Sequence, residues 1–365
     1  MKRVLLVGGG TAGHVEPALA VGKWLSDNGV GIQCEFLGTS NGIESRLVPQ
    51  AGFPLHTIRK AALPRRISLS TIIWPLQFLA SFLGALRIVR SCDLIIGFGG
   101  YVSTPAYVAA KVLGIPIVIH EANALPGWAN RLGAQLTKNV DIAFASTRNY
   151  GGKWQSAQLV GMPIRSAIAQ VADLSHAQRQ EIKARVLADF GLDSGRPILF
   201  VFGGSLGAQS LNSAITQFLE SAEADHFTLI HAVGLGNSLP VATSHYKPLG
   251  YIDNMADIYA IADLIISRSG AVSCAEIESV GVPAILVPLP IGNGEQEANA
   301  KDLVASDQAT VISNSEFSAS WLSANILSLV KKLHASSSEK SRRHASAVET
   351  IGNQALAILA ERGSK

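Results

Sequence analysis

Val4-Leu5-Leu6-Val7-Gly8-Gly9-Gly10-Thr11-Ala12-Gly13-His14 decides the fold. Four consecutive apolar residues without polar alternation suit a strand buried on both faces, as in a parallel sheet. The glycines behind it permit a tight turn. Residues 17–26 then carry Ala18, Leu19, Val21, Trp24 and Leu25 at helical spacing. Strand, glycine turn and helix open a βαβ unit, and the grammar recurs. Residues 34–38 and 94–97 read as strands, the second running into Phe98-Gly99-Gly100-Tyr101, and residues 115–120 as another. The pattern restarts with a strand at 198–202, the turn Gly203-Gly204-Ser205-Leu206-Gly207-Ala208-Gln209 and a helix from about Leu211, then strands at 227–232, 264–266 and 284–287.

Short apolar runs alternating with helical stretches imply parallel sheets covered on both faces. The expected fold class is therefore α/β, with two Rossmann-like doubly wound domains facing a cleft, and ligands at the carboxyl ends of the strands. The expected domains are residues 1–161 and 162–344, with a linker near Gly161-Met162-Pro163, where Pro163 stiffens the join. A terminal helix, about 345–365, is expected to pack on either half, with the first as its candidate partner.

Bulk properties agree. A chain of 365 residues exceeds what one core usually supports, and 48% hydrophobic against 16% charged residues excludes disorder. A net charge of +3 does not argue for nucleic acid. Cys34, Cys92 and Cys274 form neither a CxxC pair nor a zinc spacing, which suits a reducing compartment. The first apolar run is too short for a signal peptide, so a cytoplasmic protein is expected.

Three glycine turns follow strands: residues 8–13, 97–100 and 203–207. Such a turn lets a phosphate approach the free amides and positive end of the next helix. None is a Walker A loop, since no Gly-Lys-Ser/Thr follows. The first reads G-x-G-x-x-G, the dinucleotide fingerprint, which makes a nicotinamide oxidoreductase a rival reading. Against it, His14 stands where the helix should start, and the fingerprint's acid about 20 residues on is missing. Glu35, the nearest candidate, falls inside the second strand.

Taken in order, the motifs resemble the MurG family of glycosyltransferases. Gly9 to His14 looks like that family's first glycine loop, Gly99-Gly100-Tyr101-Val102-Ser103 its second, and Gly203 to Ala208 its third. His120-Glu121-Ala122-Asn123 and Gly161-Met162-Pro163-Ile164-Arg165 match two further motifs. Ser269-Gly270-Ala271 with Glu276, and Gln296 with Asn299-Ala300, match its donor stretch. The resemblance runs from residue 8 to about 300. Ala12, Leu206 and Glu295 depart from the family's commoner residues.

It implies a GT-B fold and an inverting transfer of GlcNAc from UDP-GlcNAc to the C4 hydroxyl of a polyprenyl-pyrophosphate-linked muramyl pentapeptide, with no cofactor. Ser205, Arg165 and the third turn are expected on the donor diphosphate, Glu276 on the ribose, Ile252 on the uracil, and Gln296 and Asn123 on the sugar. Thr11, Ala12 and Gly13 are expected to close on the donor or, with Gly9, Gly10, Gly99, Gly100 and Tyr101, to face the acceptor diphosphate. His14 is the candidate base, with Glu121 as runner-up or as the group that orients it. A capping role for His14 and a structural one for Glu121 stand beside these. No Asp-x-Asp pair occurs, so no metal is expected; helix dipoles and Arg165 would steady the leaving group.

Residues 67–86 carry no charge, long enough to raise a membrane span. Ser68, Ser70, Thr71, Pro75, Gln77 and Ser81, and the strand–helix domain on either side, argue for a surface helix instead. Ile72, Ile73, Trp74, Leu76, Phe78, Leu79 and Phe82 near Arg65, Arg66, Arg87 and Arg90 form a candidate patch, only part of it expected to be exposed, for an anionic inner leaflet, on the cytoplasmic side and peripheral. Rival functions are a UDP-GlcNAc epimerase and a non-catalytic nucleotide-sugar binder; the ordered motifs favour transfer.

Overall fold

The computed structural model describes residues 1–60, 69–193, 195–204, 206–290, 294–335 and 343–363. It divides into two compact units, Met1–Arg165 with Arg343–Lys365, and Ser166–Arg342. Each is an α/β unit built on a parallel sheet.

In the first unit the chain runs β1 (Lys2–Gly8), α1 (Ala12–Asn28), β2 (Ile32–Gly38), α2 (Glu44–Gln50), β3 (Leu55–Thr57), α3 (Leu69–Val89), β4 (Leu94–Gly99), α4 (Ser103–Leu113), β5 (Ile117–Glu121), α5 (Trp128–Gly133), β6 (Asn139–Ile142) and β7 (Gln158–Leu159). The strand order is β3-β2-β1-β4-β5-β6-β7, parallel throughout. Val4 to Val7 are wholly buried, with Val4 and Leu6 facing α1 and Leu5 and Val7 facing α4. That two-sided burial explains the unbroken apolar run.

The second unit runs α6 (Ser166–Val171), α7 (His176–Phe190), β8 (Ile198–Phe202), α8 (Gln209–Phe218), β9 (Thr228–Ala232), β10 (Tyr246–Leu249), α9 (Met255–Ile261), β11 (Leu264–Ser267), α10 (Ala271–Val280), β12 (Ala284–Leu286), α11 (Glu295–Asn299), α12 (Lys301–Ala305), β13 (Ala309–Val311) and α13 (Ala319–Ala335). Its strand order is β10-β9-β8-β11-β12-β13. Strand order reverses between β1 and β4 in one sheet and between β8 and β11 in the other. In open α/β sheets such reversals are where ligands bind, because the flanking crossovers diverge to opposite faces.

The last helix, α14 (Arg343–Gly363), belongs to the first unit. Ile351, Ala355 and Leu359 join the core of β1, β4 and α1. Gly352 lies flat on the Trp24 ring of α1, where any Cβ would collide with the indole. A Gly352→Val substitution is expected to destabilise this unit by roughly 1–3 kcal/mol, read as a lower urea midpoint. An unchanged midpoint would show that α14 does not hold the unit together.

Candidate active site

At the first reversal the loops after β1 and β4 lie back to back. Gly99 and Gly100 have φ of +99° and +87°. A Cβ on Gly100 would collide with the Gly9 carbonyl, and one on Gly99 would stand 3.2 Å from the His14 ring. A Cβ on Gly10, at φ +89°, would meet the Tyr101 ring at 2.8 Å. Here glycine is demanded by both close approach and backbone conformation.

His14 sits in the first turn of α1, its ring half-buried. Its Nδ1 is 3.2 Å from the Gly9 carbonyl and 3.1 Å from Thr11 Oγ1. A carbonyl only accepts, so Nδ1 carries the proton and Nε2 keeps its lone pair. Burial lowers the His14 pKa, against the Gly9 carbonyl and the charge of Glu44, which raise it. The neutral, base-competent imidazole is thereby favoured. No side chain caps α1, and its first turn holds no acid.

Behind the loop stands a residue the sequence reading missed. Glu44 is fully buried and accepts from the amides of Gly10 (3.1 Å) and Thr39 (2.9 Å) and from Thr39 Oγ1 (2.8 Å). Burial raises its pKa, but these hydrogen bonds outweigh it and the net shift is downward. The signal available was Gly38-Thr39-Ser40-Asn41-Gly42-Ile43-Glu44, a strand end and glycine turn closing on a carboxylate; Cβ atoms on Gly38 or Gly42 would collide with it.

Glu121 ends β5 and is also buried. One oxygen accepts from the Asn123 amide at 2.8 Å and its Nδ2 at 3.3 Å; the other accepts from the Gly127 amide and Asn130 Nδ2, each at 3.0 Å. Burial raises its pKa and these donors only partly offset it. Asn130, also missed, accepts from the Tyr107 hydroxyl at 2.8 Å. Glu121 thus ties its own loop and holds Asn123 in place. Glu35 lies within β2, paired with Arg3 at 3.1 Å and His56 at 2.7 Å, so it is not a free ribose acceptor of the dinucleotide kind.

At the second reversal Gly204 and Gly207 have φ of +96° and +75°. Gly207 and Gly234 interlock: a Cβ on either would strike the other's loop. Asn237 Nδ2 fixes the turn by donating to the Leu206 carbonyl at 3.0 Å. Neither α8 nor α10 has a side-chain cap or an acid in its first turn. By contrast, α7 carries a full capping box from Ser175 and Gln178, and Asn254 caps α9. Helix starts at the reversals therefore keep open amides, unlike those of α7 and α9.

Glu276, in α10, is 4% exposed and accepts from the Tyr259 hydroxyl at 3.0 Å. Ile252 is buried, Gln296 accepts from the Leu289 amide at 2.8 Å, and Arg165 is exposed at the end of the first unit's main segment. Cys274 is fully buried, as a packing residue would be. Ser205, Arg65 and Arg66 lie outside the described residues. Along α3, Ile73, Leu76, Leu79 and Leu83 are exposed, while Trp74, Phe78 and Phe82 are half-buried and Phe82 packs on the core. Among the described residues no helix is long and apolar enough to cross a membrane.

The Glu44 geometry has a direct consequence. A carboxylate whose folded pKa is lowered adds stability above its unfolded pKa and loses it as pH falls through the folded value. Glu44→Gln is expected to destabilise by roughly 1–3 kcal/mol at neutral pH, and the gap from the unaltered chain should narrow progressively as pH falls below about 4. A gap independent of pH would refute the charged role.

Comparisons with known proteins identify the family and the fold. The Glycosyltransferase family 28 N-terminal domain matches residues 4–142, and the Glycosyltransferase family 28 C-terminal domain residues 198–354. A Frankia casuarinae protein named UDP-N-acetylglucosamine--N-acetylmuramyl-(pentapeptide) pyrophosphoryl-undecaprenol N-acetylglucosamine transferase is 44% identical over 337 residues, 90% of this chain and 87% of the relative. A Corynebacterium glutamicum (strain R) protein of the same name is 40% identical over 358 residues, 98% of this chain and 96% of the relative. The crystal structure of Acinetobacter baumannii MurG covers 97% of this chain and 99% of its own, with a TM-score of 0.75 and 28% identity. A UDP-GlcNAc 2-epimerase from Neisseria meningitidis, with a TM-score of 0.63, 13% identity and coverage of 98% and 100%, shares the fold alone. The chain is built on the GT-B fold and belongs to the MurG family of UDP-N-acetylglucosamine–N-acetylmuramyl-(pentapeptide) pyrophosphoryl-undecaprenol N-acetylglucosamine transferases.

Proposed function

We infer that this chain is an inverting N-acetylglucosaminyltransferase that moves GlcNAc from UDP-GlcNAc to the C4 hydroxyl of the muramyl sugar of lipid I, giving lipid II for peptidoglycan. The observation that carries the reading is the set of helix starts at both strand reversals with no side-chain cap and no acid in their own first turn, together with a neutral histidine at one of them. The first suits two diphosphate substrates; the second suits removal of a hydroxyl proton.

In the reaction the acceptor oxygen attacks C1 of GlcNAc as the C1–phosphate oxygen bond breaks, through an oxocarbenium-like state. UDP leaves with the bonding pair. The hydroxyl proton passes to His14 Nε2. On the donor side the amides at the head of α8 hold the diphosphate, with Ser205 and Arg165 adding polar contacts. Glu276 accepts from the ribose hydroxyls, backbone at Ile252 pairs with the uracil, and Gln296 and Asn123 fix the sugar. On the acceptor side, Thr11, Ala12 and Gly13 with Gly9, Gly10, Gly99, Gly100 and Tyr101 line the acceptor diphosphate. The hydrogen bonds of Glu121 favour a positioning role for it, acting on Asn123, over a role as base.

The lipid-linked acceptor requires a membrane surface. The exposed row Ile73, Leu76, Leu79 and Leu83 on α3 supports peripheral attachment to the inner leaflet, on the cytoplasmic side. Arg65 and Arg66 would supply the basic rim. Nucleic acid has no part in this reading.

Three measurements test it. With a short-chain lipid I analogue, UDP release should require the acceptor; release of UDP or of epimerised sugar without it would favour an epimerase. His14→Gln should lower kcat by roughly 10²–10⁴-fold with little change in donor affinity. In the unaltered enzyme the acid limb of the rate should have its midpoint below the ordinary imidazole value of 6.5, because burial lowers the His14 pKa. An acid limb that survives in His14→Gln would exclude His14 as the base.

For the membrane, Ile73→Ser/Leu76→Ser/Leu79→Ser changes only exposed side chains, so folding should hold. Flotation with anionic liposomes should fall by about tenfold or more. Undiminished flotation would rule out this face.

A further inference from the structure

Arg268 directly follows β11, at the strand reversal of the second sheet, and is 9% exposed. Neutral acceptors hold its guanidinium. One Nη donates to the Val287 carbonyl at 2.9 Å and lies 3.4 Å from that of Pro288; the other donates to Ser210 Oγ at 2.7 Å. The Ser210 hydroxyl donates in turn to Asn314 Oδ1 at 2.8 Å, which fixes its lone pair toward the arginine. Arg268 Nε is buried without a partner. Among the described residues no carboxylate forms an ion pair with it. Burial lowers its pKa, but from so high a starting value that the group stays charged.

A buried charge without a counter-ion is unfavourable for the fold. Its setting compounds this. Ser210 is the second residue of α8, whose head carries partial positive charge and has neither cap nor acid. Two positive potentials converge at one end of the sheet, and an anion placed there relieves both.

We propose that Arg268 is a positioning residue for the donor, a buried cation at the head of α8, just after the third glycine turn, that sets the affinity for a nucleoside diphosphate and steadies that diphosphate as it departs. The proposal rests on the reading of that turn as the donor-diphosphate seat. It assigns Arg268 no direct contact with substrate. The cation acts through its field and by fixing the first turn of α8 through Ser210.

The test compares UDP with uridine by isothermal titration. The unaltered chain should bind UDP far more tightly than uridine. Arg268→Met should cut that ratio by about tenfold or more while uridine affinity holds, and Arg268→Lys should restore most of it. Arg268→Gln carries the same comparison should the Met variant not fold. Thermal melting without ligand supplies a second readout: a purely structural arginine predicts a lower Tm and equal losses for UDP and uridine, which would overturn the proposal. An unchanged ratio in Arg268→Met or Arg268→Gln would overturn it too. Gly204→Val, which strains the turn itself, separates the two levels. If it abolishes the preference while the arginine variants keep it, only the present inference falls. If it too leaves the preference intact, the donor seat lies elsewhere and the parent reading falls.

Discussion

Reversal of strand order, once in each sheet, is the constraint on which the rest of the molecule depends. Between β1 and β4, and again between β8 and β11, the crossovers leave to opposite faces and open a gap at the strand ends. Helix starts converge there with unspent amides. The turns that enter those helices must be tight, which is why Gly99, Gly100, Gly204 and Gly207 take positive φ and why several admit no Cβ. Chemistry and architecture share one requirement, and the glycines meet both.

The two units stiffen their turns differently. In the first, buried carboxylates stand behind the loops: Glu44 under Gly10, and Glu121 under the segment from Asn123 to Asn130. In the second, polar amides and a cation do so, with Asn237 on Leu206 and Arg268 on Ser210. A carboxylate consumes backbone donors and weakens a local positive field; a guanidinium leaves the donors free and strengthens it. A site that must stabilise a departing diphosphate benefits from the second arrangement.

Most of the fold was legible because buried parallel strands write themselves as unbroken apolar runs, as in residues 4–7 and 198–202, and because glycine turns mark their ends. The family followed from the order of those turns. Glu44, Asn130 and Arg268 were missed, although the glycine turn ahead of Glu44 marked a carboxylate at a strand end. Their importance comes from what the fold brings beside them: Glu44 meets Gly10 across 34 positions, and Arg268 meets Ser210 across 58. No local pattern announces such a meeting. The helix at 69–89 was readable as an apolar surface element, but not which side faced outward. Of the candidate patch, Ile73, Leu76 and Leu79 lie on the exposed row with Leu83, whereas the aromatics Trp74, Phe78 and Phe82 are half-buried and Phe82 packs on the first unit's core.

The place of α14 bears on how the protein is made. Because this last helix completes the core around β1, β4 and α1, the unit that begins the chain cannot finish folding until its final residues have been synthesised. The second unit is in effect an insertion, whole before its host is. Loss of the carboxyl terminus would therefore injure the half of the protein that was translated first, and leave the later half with its own core complete.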